Sequence, residues 1–271
     1  MPRRRIGLLG YGKIGQYLAQ QILKSDDLHL VFVWNRTIDK MKDVPCELRL
    51  TSITDAMEKD VDLIVEVAHP VITENYGCRF LEKCDYFLGS PTALASNGTW
   101  KKLQRVSFEY KHAVYVSSGA FWGGEDIRKM ADLGTLKSLT VTMTKHPTSF
   151  RLESPLKEAN QTVASEPLAL YDGPVRQLCA LAPNNVNTMA AACIAAHTLG
   201  FDGVQGVLIS DPNCLEHHII TIEVQGENGF TVRTVRKNPV PAGAVTGLAT
   251  FHAFFASIQN AHGRGHGIHL C

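Results

Sequence analysis

Arg5-Ile6-Gly7-Leu8-Leu9-Gly10-Tyr11-Gly12-Lys13-Ile14-Gly15 decides the fold of this chain. The first five of these residues read as a short apolar strand, and Gly-x-Gly-x-x-Gly follows at once from Gly10 to Gly15. Tyr17 to Leu23 then has helical apolar spacing. Strand, glycine turn and helix in that order form the context in which this spacing binds a dinucleotide. Gly10 permits the tight turn, Gly12 lets the backbone approach a pyrophosphate, and Gly15 lets helix and strand pack closely. The helix start offers free N–H groups and partial positive charge to that pyrophosphate. Lys13 and Ile14, inside the same turn, complete the first set of candidate cofactor contacts.

Leu28 to Trp34 reads as a second buried strand, with Asn35-Arg36-Thr37 at its end. That point lies about 20 residues past the glycines, where an NAD enzyme places an acid on the ribose 2′-hydroxyl. No acid is present here. Asn35 can bond a hydroxyl, and Arg36 is placed to meet a 2′-phosphate, which a carboxylate would repel and a guanidinium binds bidentately. The expected cofactor is therefore NADP or NAD, with NADP preferred. The alternative for Arg36 is a solvated loop end.

The chain has 271 residues, 45% hydrophobic, with a formal net charge of +1. It is long enough for one large or two modest domains, and its charge points to neither nucleic acid nor an anionic membrane as partner. No apolar run approaches the roughly 18 residues that span a bilayer. Pro2-Arg3-Arg4-Arg5 before apolar residues resembles a leader, but Lys13 cuts that run short and the run already serves as the first strand. The seven cysteines form no C-x-x-C pair, and Cys78, Cys179 and Cys193 sit in apolar surroundings. They are expected to be reduced thiols of a cytoplasmic protein.

Strand and helix signals alternate through the first hundred residues. Val61 to Val67 is a third buried strand, Thr73 to Cys84 a helix, Tyr86 to Leu88 a short strand, Asn97 to Tyr110 a helix capped by Asn97, and Ala113 to Val116 another strand. Such alternation predicts a parallel sheet with right-handed crossovers. Leu139 to Met143, Ile219 to Val224 and Phe230 to Arg236 instead alternate in period two, as in a half-exposed, partly antiparallel sheet. Asn187 to Leu199 is a buried helix and Thr246 to Ile258 a last helix. The expectation is an α/β protein: a Rossmann domain over residues 1–117, an α/β substrate domain with a mixed sheet over 118–245, and a C-terminal helix over 246–271 that packs back on the first domain and ends in a frayed tail.

Four segments put small or polar residues at the ends of apolar elements. Ser117-Ser118-Gly119-Ala120 ends a strand of the nucleotide sheet, where open α/β sheets bind ligands, and its small side chains would let a flat ring lie against the backbone. Asn184, Asn185 and Asn187 precede the buried helix as caps or ligand amides, with Asn187 expected to be more than a cap. Asp211 to His218 leads into a strand on which His217 and His218 point to opposite faces. A histidine turned to the substrate suits dehydrogenase chemistry, because imidazole exchanges protons near neutral pH. Lys145 ends a strand and offers charge to a carboxylate substrate; the alternative is a solvated turn. His262, His266 and His269 are spaced by glycines that give no rigid metal geometry, so no metal is expected.

Gly10-Tyr11-Gly12-Lys13-Ile14-Gly15, Ser118-Gly119-Ala120, Asn185-Val186-Asn187, then Asp211-Pro212 with His217 occur in an order and at separations that resemble the L-aspartate dehydrogenase family over nearly the whole chain. Ser90-Pro91-Thr92-Ala93-Leu94-Ala95 is similar to that family's Ser-x-Gly-Ala-Leu turn. The resemblance implies a Rossmann domain followed by an α/β substrate domain. It also implies hydride transfer from C2 of L-aspartate to NAD or NADP, with the imine hydrolysing to oxaloacetate and ammonia. Ala120 and Asn187 match positions that contact the nicotinamide cofactor, and His217 matches the active-site histidine. Lys145 and Asn185 are the candidate substrate contacts. The expected partner is a dicarboxylic amino acid, and the expected assembly a homodimer. One segment departs from the pattern. Bacterial members carry Asn-Pro-Lys-Thr-Ser before the last helix, and this chain reads Ala242-Gly243-Ala244-Val245-Thr246 without the lysine. Lys145 and Arg233 are the candidates to replace it.

Two other functions compete. A sugar or imine reductase shares such an N-terminal half, but Gly89-Ser90-Pro91 lacks the Glu-Lys-Pro usual in the sugar oxidoreductases after the fourth strand. A non-catalytic NADP-binding protein would keep the same fold.

Overall fold

The computed structural model describes residues 2–271 and divides into two compact units. Unit 1 takes in the chain up to Ser117 together with Phe254–His269 and Cys271; unit 2 is Ser118–Ala253 with Leu270. The change at Ser117/Ser118 falls where the sequence pattern changes. The second dividing point lies inside the last helix rather than ahead of it.

Unit 1 begins with β1 (Arg4–Leu9), α1 (Lys13–Lys24) and β2 (Leu28–Trp34), then β3 (Arg49–Leu50), β4 (Leu63–Glu66), α2 (Pro70–Leu81), β5 (Asp85–Leu88), α3 (Asn97–Tyr110) and β6 (Ala113–Val116). β1, β2, β4, β5 and β6 pair in parallel, as near-continuous apolar runs joined by helices require. α1 forms because Leu18, Ala19 and Ile22 share one stripe, and all three are buried. Burying Leu18 and Ile22 stabilises the unit by about 2 kcal/mol each. The cap of α3 is Ser96, not Asn97: the Ser96 hydroxyl accepts the Thr99 N–H at 3.3 Å, and Asn97 is already helical.

Unit 2 holds α4 (Gly124–Asp132), β7 (Leu136–Lys145), α5 (Leu156–Gln161), β8 (Leu168–Pro174), α6 (Val175–Leu181), α7 (Asn187–Ala195), α8 (Gly200–Gly203), β9 (Gln205–Ser210), β10 (His217–Gly226) and β11 (Thr231–Pro239). The sheet order is β11-β10-β7-β9-β8, and only β7–β9 is a parallel pair. Along β7, Leu139, Val141, Met143 and Lys145 are buried while Thr140, Thr142 and Thr144 are half-buried. The buried face of the sheet packs on α4 at β7 and on α6 at β8 and β9, and Gly206 of β9 faces Met189 of α7. α7 is apolar all round and buried from Thr188 to Ala195.

α9 (Leu248–Asn260) follows, and β12 (Gly267–Leu270) closes the chain. The tail is not frayed. β12 is the edge strand beside β6 in the seven-stranded sheet of order β12-β6-β5-β4-β1-β2-β3. The Cys271 N–H bonds the Val116 carbonyl at 2.8 Å, and the buried Ser107 hydroxyl accepts the Gly267 N–H at 2.6 Å. The reason is an open edge: without β12 the backbone of β6 would have no partner on that side. His266 lies against the Phe108 ring, 4.4 Å between centroids. All seven cysteines are unpaired; Cys84, Cys179, Cys193 and Cys214 are buried.

Candidate functional site

In unit 1 the glycine turn has the geometry the sequence implies. Gly10 has φ +107, and a Cβ there would lie 2.8 Å from the backbone of Val67 and Ala68. A Cβ on Gly15 would stand 2.0 Å from the Gly10 carbonyl oxygen. Around Gly12 nothing lies within 4 Å of a Cβ position. That open space adjoins the start of α1, whose N-terminus carries no side-chain cap. An open cradle at an uncapped helix start fits a dinucleotide pyrophosphate. Lys13 is exposed and Ile14 half-buried in the first turn.

Asn35 is a brace for this turn. Its Oδ1 accepts the Tyr11 N–H at 2.9 Å and its Nδ2 donates to the Thr37 carbonyl at 2.8 Å. Arg36 beside it is exposed and has no partner among the described residues, which leaves its guanidinium available. Tyr11 is held further by its hydroxyl, 2.9 Å from Asp43 Oδ2.

Glu66 is the residue the sequence reading missed in this unit. It ends β4 with no exposure, yet it is a carboxylate. Oε1 accepts the Ala68 and His69 N–H groups at 2.6 and 2.8 Å and the Ser90 hydroxyl at 3.0 Å; Oε2 accepts the Ser90 N–H at 3.1 Å. Four donors satisfy the charge, while burial pushes the carboxyl up to about 7. Glu66 thus ties the segment that touches Gly10 to the turn after β5. Its signal was an acid inside the apolar run Val-Asp-Leu-Ile-Val-Glu-Val.

In unit 2, Ser118-Gly119-Ala120 is a turn with Gly119 at φ +57 and the Phe121 N–H on the Ser118 carbonyl. Ala120 is buried. Asn185 is buried and committed to structure: Oδ1 accepts the Arg151 N–H at 2.8 Å and Nδ2 donates to the Ser149 carbonyl. That commitment argues against a direct substrate contact. Asn187 is the first residue of α7, after the non-polar Val186 at the cap position. Its Oδ1 is buried without a partner. An orphaned acceptor is the kind of atom a carboxamide N–H would satisfy, so Asn187 fits the cofactor-contact position.

His217 and His218 point to opposite faces of β10, as alternation requires. His218 is the one on the buried face, 5% exposed, while His217 is half-buried on the other side. In the antiparallel register Ile219 faces Thr144, which makes Lys145 the neighbour of His218 on the same face. Lys145 is no solvated turn residue: it is 4% exposed. Its Nζ donates to the Val245 carbonyl at 3.4 Å and lies 5.9 Å from the centre of the Phe150 ring. Burial alone lowers the ammonium to about 8. Burial first, and Lys145 second, lower His218 to about 4. Its Nε2 has no partner, and the ring shares a hydrogen bond with the Ala244 backbone. The Ala242–Thr246 segment therefore lies over a neutral imidazole and a buried amine. The structure brings Lys145 to His218 and leaves His217 apart from both. Arg233 does not reach this pair: it is an exposed residue bonded to Glu223 at 3.2 Å.

The family description "Aspartate dehydrogenase, C-terminal" matches residues 126–258, and "Homoserine dehydrogenase, NAD binding domain" matches residues 10–117. An aspartate dehydrogenase domain-containing protein of Xenopus tropicalis is 50% identical over 99% of this chain and 98% of its own. The chain belongs to the aspartate dehydrogenase family. An L-aspartate dehydrogenase of Methanococcoides burtonii is 28% identical, covering 89% of this chain and 91% of that one. The crystal structure of aspartate dehydrogenase from Thermotoga maritima shares the fold, with a TM-score of 0.73 at 19% identity over 97% of this chain and 98% of that one. Family membership and the NAD-binding domain support a dehydrogenase with a nicotinamide cofactor.

Proposed function

We propose that the protein oxidises L-aspartate with a nicotinamide dinucleotide, preferring NADP, to iminoaspartate that hydrolyses to oxaloacetate and ammonia. The observation that carries this reading is the buried Lys145–His218 pair under the Ala242–Thr246 segment. A base that is neutral at physiological pH and a desolvated cation, side by side, suit an amino acid: one takes a proton, the other holds a carboxylate.

Gly10, Gly12, Gly15 and the start of α1 would hold the pyrophosphate, Arg36 a 2′-phosphate, and Ala120 and Asn187 the nicotinamide end. A bound nicotinamide supplies the hydride acceptor for C2. The chain's own residues do the rest. His218 accepts a proton from the substrate ammonium, releases it to solvent, and, neutral again, accepts a proton from the water that attacks the imine. Lys145 orients a carboxylate throughout. The family pattern matched His217 to the catalytic position; the packing favours His218, and the two are separable. His218→Ala is expected to lower turnover about 10²–10⁴-fold, with His217→Ala much milder and cofactor affinity unchanged in both. The reverse order would return the role to His217.

The missing lysine of the 242–246 segment favours a second reading, a dinucleotide-binding protein without turnover. Following NAD(P)H formation with a panel of amino acids separates the two. L-aspartate turnover supports the first; tight NADP binding with no turnover on any amino acid supports the second.

A further inference from the structure

β11 contributes a third cationic side chain to the face that carries Lys145 and His218. In register, His218 pairs with Asn238 and Ile220 with Arg236. Ile220 is buried on the His218 side of β10, so Thr234, Arg236 and Asn238 share that face, and along β11 they are the less exposed positions. Lys145 and Arg236 are then two strands apart, about 10 Å, and offset by two residues, about 7 Å. That gap suits two long side chains closing on a small molecule from either end.

The charges on this face have no acid to meet. Neither Lys145 nor Arg236 forms an ion pair among the described residues, whereas Arg5, Arg128, Arg176 and Arg233 all do. Arg236 Nε donates to Asn238 Oδ1 at 2.7 Å, and Asn238 Nδ2 is bonded to the His218 carbonyl at 3.5 Å, so the guanidinium is aimed and its two Nη groups are unused. Burial alone lowers Arg236 from its ordinary value. Desolvating an unpaired guanidinium is unfavourable unless an anion compensates. Arg236 also lines a cavity of about 420 Å³ with Trp122, Thr234, Val235 and Lys237. Trp122 follows the Ala120 turn by two residues.

We propose that Arg236 is the specificity residue of this face: it takes the second carboxylate of a dicarboxylic substrate while Lys145 takes the first. This deepens the proposed function and rests on it for the identity of the substrate. The chemistry is a planar fork on a planar carboxylate at one end and a point charge at the other. The long Lys145–Val245 bond, to a neutral carbonyl, is one that a carboxylate oxygen would displace. The sheet then provides, from β7 and β11, the charge that the lysine of the bacterial Asn-Pro-Lys-Thr-Ser segment no longer provides.

The test uses succinate, a four-carbon dicarboxylate that cannot be oxidised at an amine, with butyrate as the monocarboxylate control. Calorimetric titration of the full chain in the presence of NADP should show succinate binding tighter than butyrate. Arg236→Gln should weaken succinate about tenfold to a hundredfold and leave butyrate and NADP unchanged. Arg236→Lys should fall between, because it keeps the charge and loses the fork. Arg233→Gln, on the opposite side of the strand and outside the cavity lining, should change nothing. Succinate affinity unaltered in both Arg236 variants overturns the proposal, as does equal affinity of the wild type for succinate and butyrate. Turnover of NADP with L-aspartate is read separately: its loss with succinate binding intact would sink the dehydrogenase reading and leave the dicarboxylate site standing.

Discussion

Adding a side chain at Gly12 and at Gly15 should have opposite consequences. Gly12→Val puts its Cβ in open space, so the protein should keep its melting temperature while NADP and NAD binding collapse. Gly15→Val meets a backbone oxygen at 2.0 Å, and the cost is structural, about 1–3 kcal/mol or more. Fluorescence titration with NADPH alongside a thermal melt checks both; a folded Gly12→Val protein that still binds would remove the pyrophosphate from this turn. Arg36→Ala should weaken NADP about tenfold to a hundredfold and spare NAD, and equal affinities before and after would assign the 2′ end elsewhere. The pH profile belongs to this scale too. The sequence led to the expectation of a group titrating near pH 6 to 8, as for an ordinary histidine. Burial puts His218 at about 4 and Lys145 at about 8. kcat/KM should therefore stay flat through pH 6–7 and fall above about 8 as Lys145 loses its charge. An acid limb near 6.5 that His217→Ala abolishes would contradict this. The sequence offers the glycines, Arg36 and Lys145 as candidates because each sits at the end of a strongly patterned element. Arg236 and Glu66 are not among them: one needs strand register to join its site, and the other looks like an acid inside an apolar strand until its four donors are known.

At the level of elements, β4 and the two turns it serves hang on one carboxylate. The folded value of Glu66, about 7, lies above its unfolded value near 4.5. Protonation therefore favours the folded state. The stabilisation is complete below about 4.5 and is lost as pH rises through 7, a change of about 3 kcal/mol at most. Glu66→Gln removes the titration. Comparing melting temperatures of the two proteins from pH 4.5 to 8 should give a difference that varies with pH only over that window; parallel curves would show that Glu66 does not titrate there. Most elements were readable from periodicity, and β2, α3 and β6 match within a residue. β8 and β9 carry weaker patterns and emerge only in the sheet of unit 2. There β9 lies between β7 and the edge strand β8, buried at alternate positions, and half-exposed β8 is set by its antiparallel partner.

For the molecule as a whole, the closing residues matter more than their composition suggests. Removing residues 267–271 would uncover the edge of β6 and leave the Ser107 hydroxyl without its Gly267 partner. We expect a lower melting temperature and a tendency to associate through the open edge, read by a thermal melt with light scattering. A truncated chain as stable and as monodisperse as the full one would mean that β12 is dispensable. No helix among the described residues is long and apolar enough to cross a membrane.

Local sequence was sufficient for the alternation of elements, the glycine cradle, the change of character at Ser117 and the presence of two histidines on opposite faces. Those features depend on spacing along the chain, and spacing is what a sequence records. Only the tertiary structure decided which histidine lies beside Lys145, that the lysine is buried, that Arg236 shares their face, and that a glycine- and histidine-rich tail becomes a strand. Each of these depends on which strand lies next to which, and in what register. That pairing joins residues far apart in the chain, Val116 and Cys271 at 155 positions among them, through backbone hydrogen bonds whose partners no local pattern specifies.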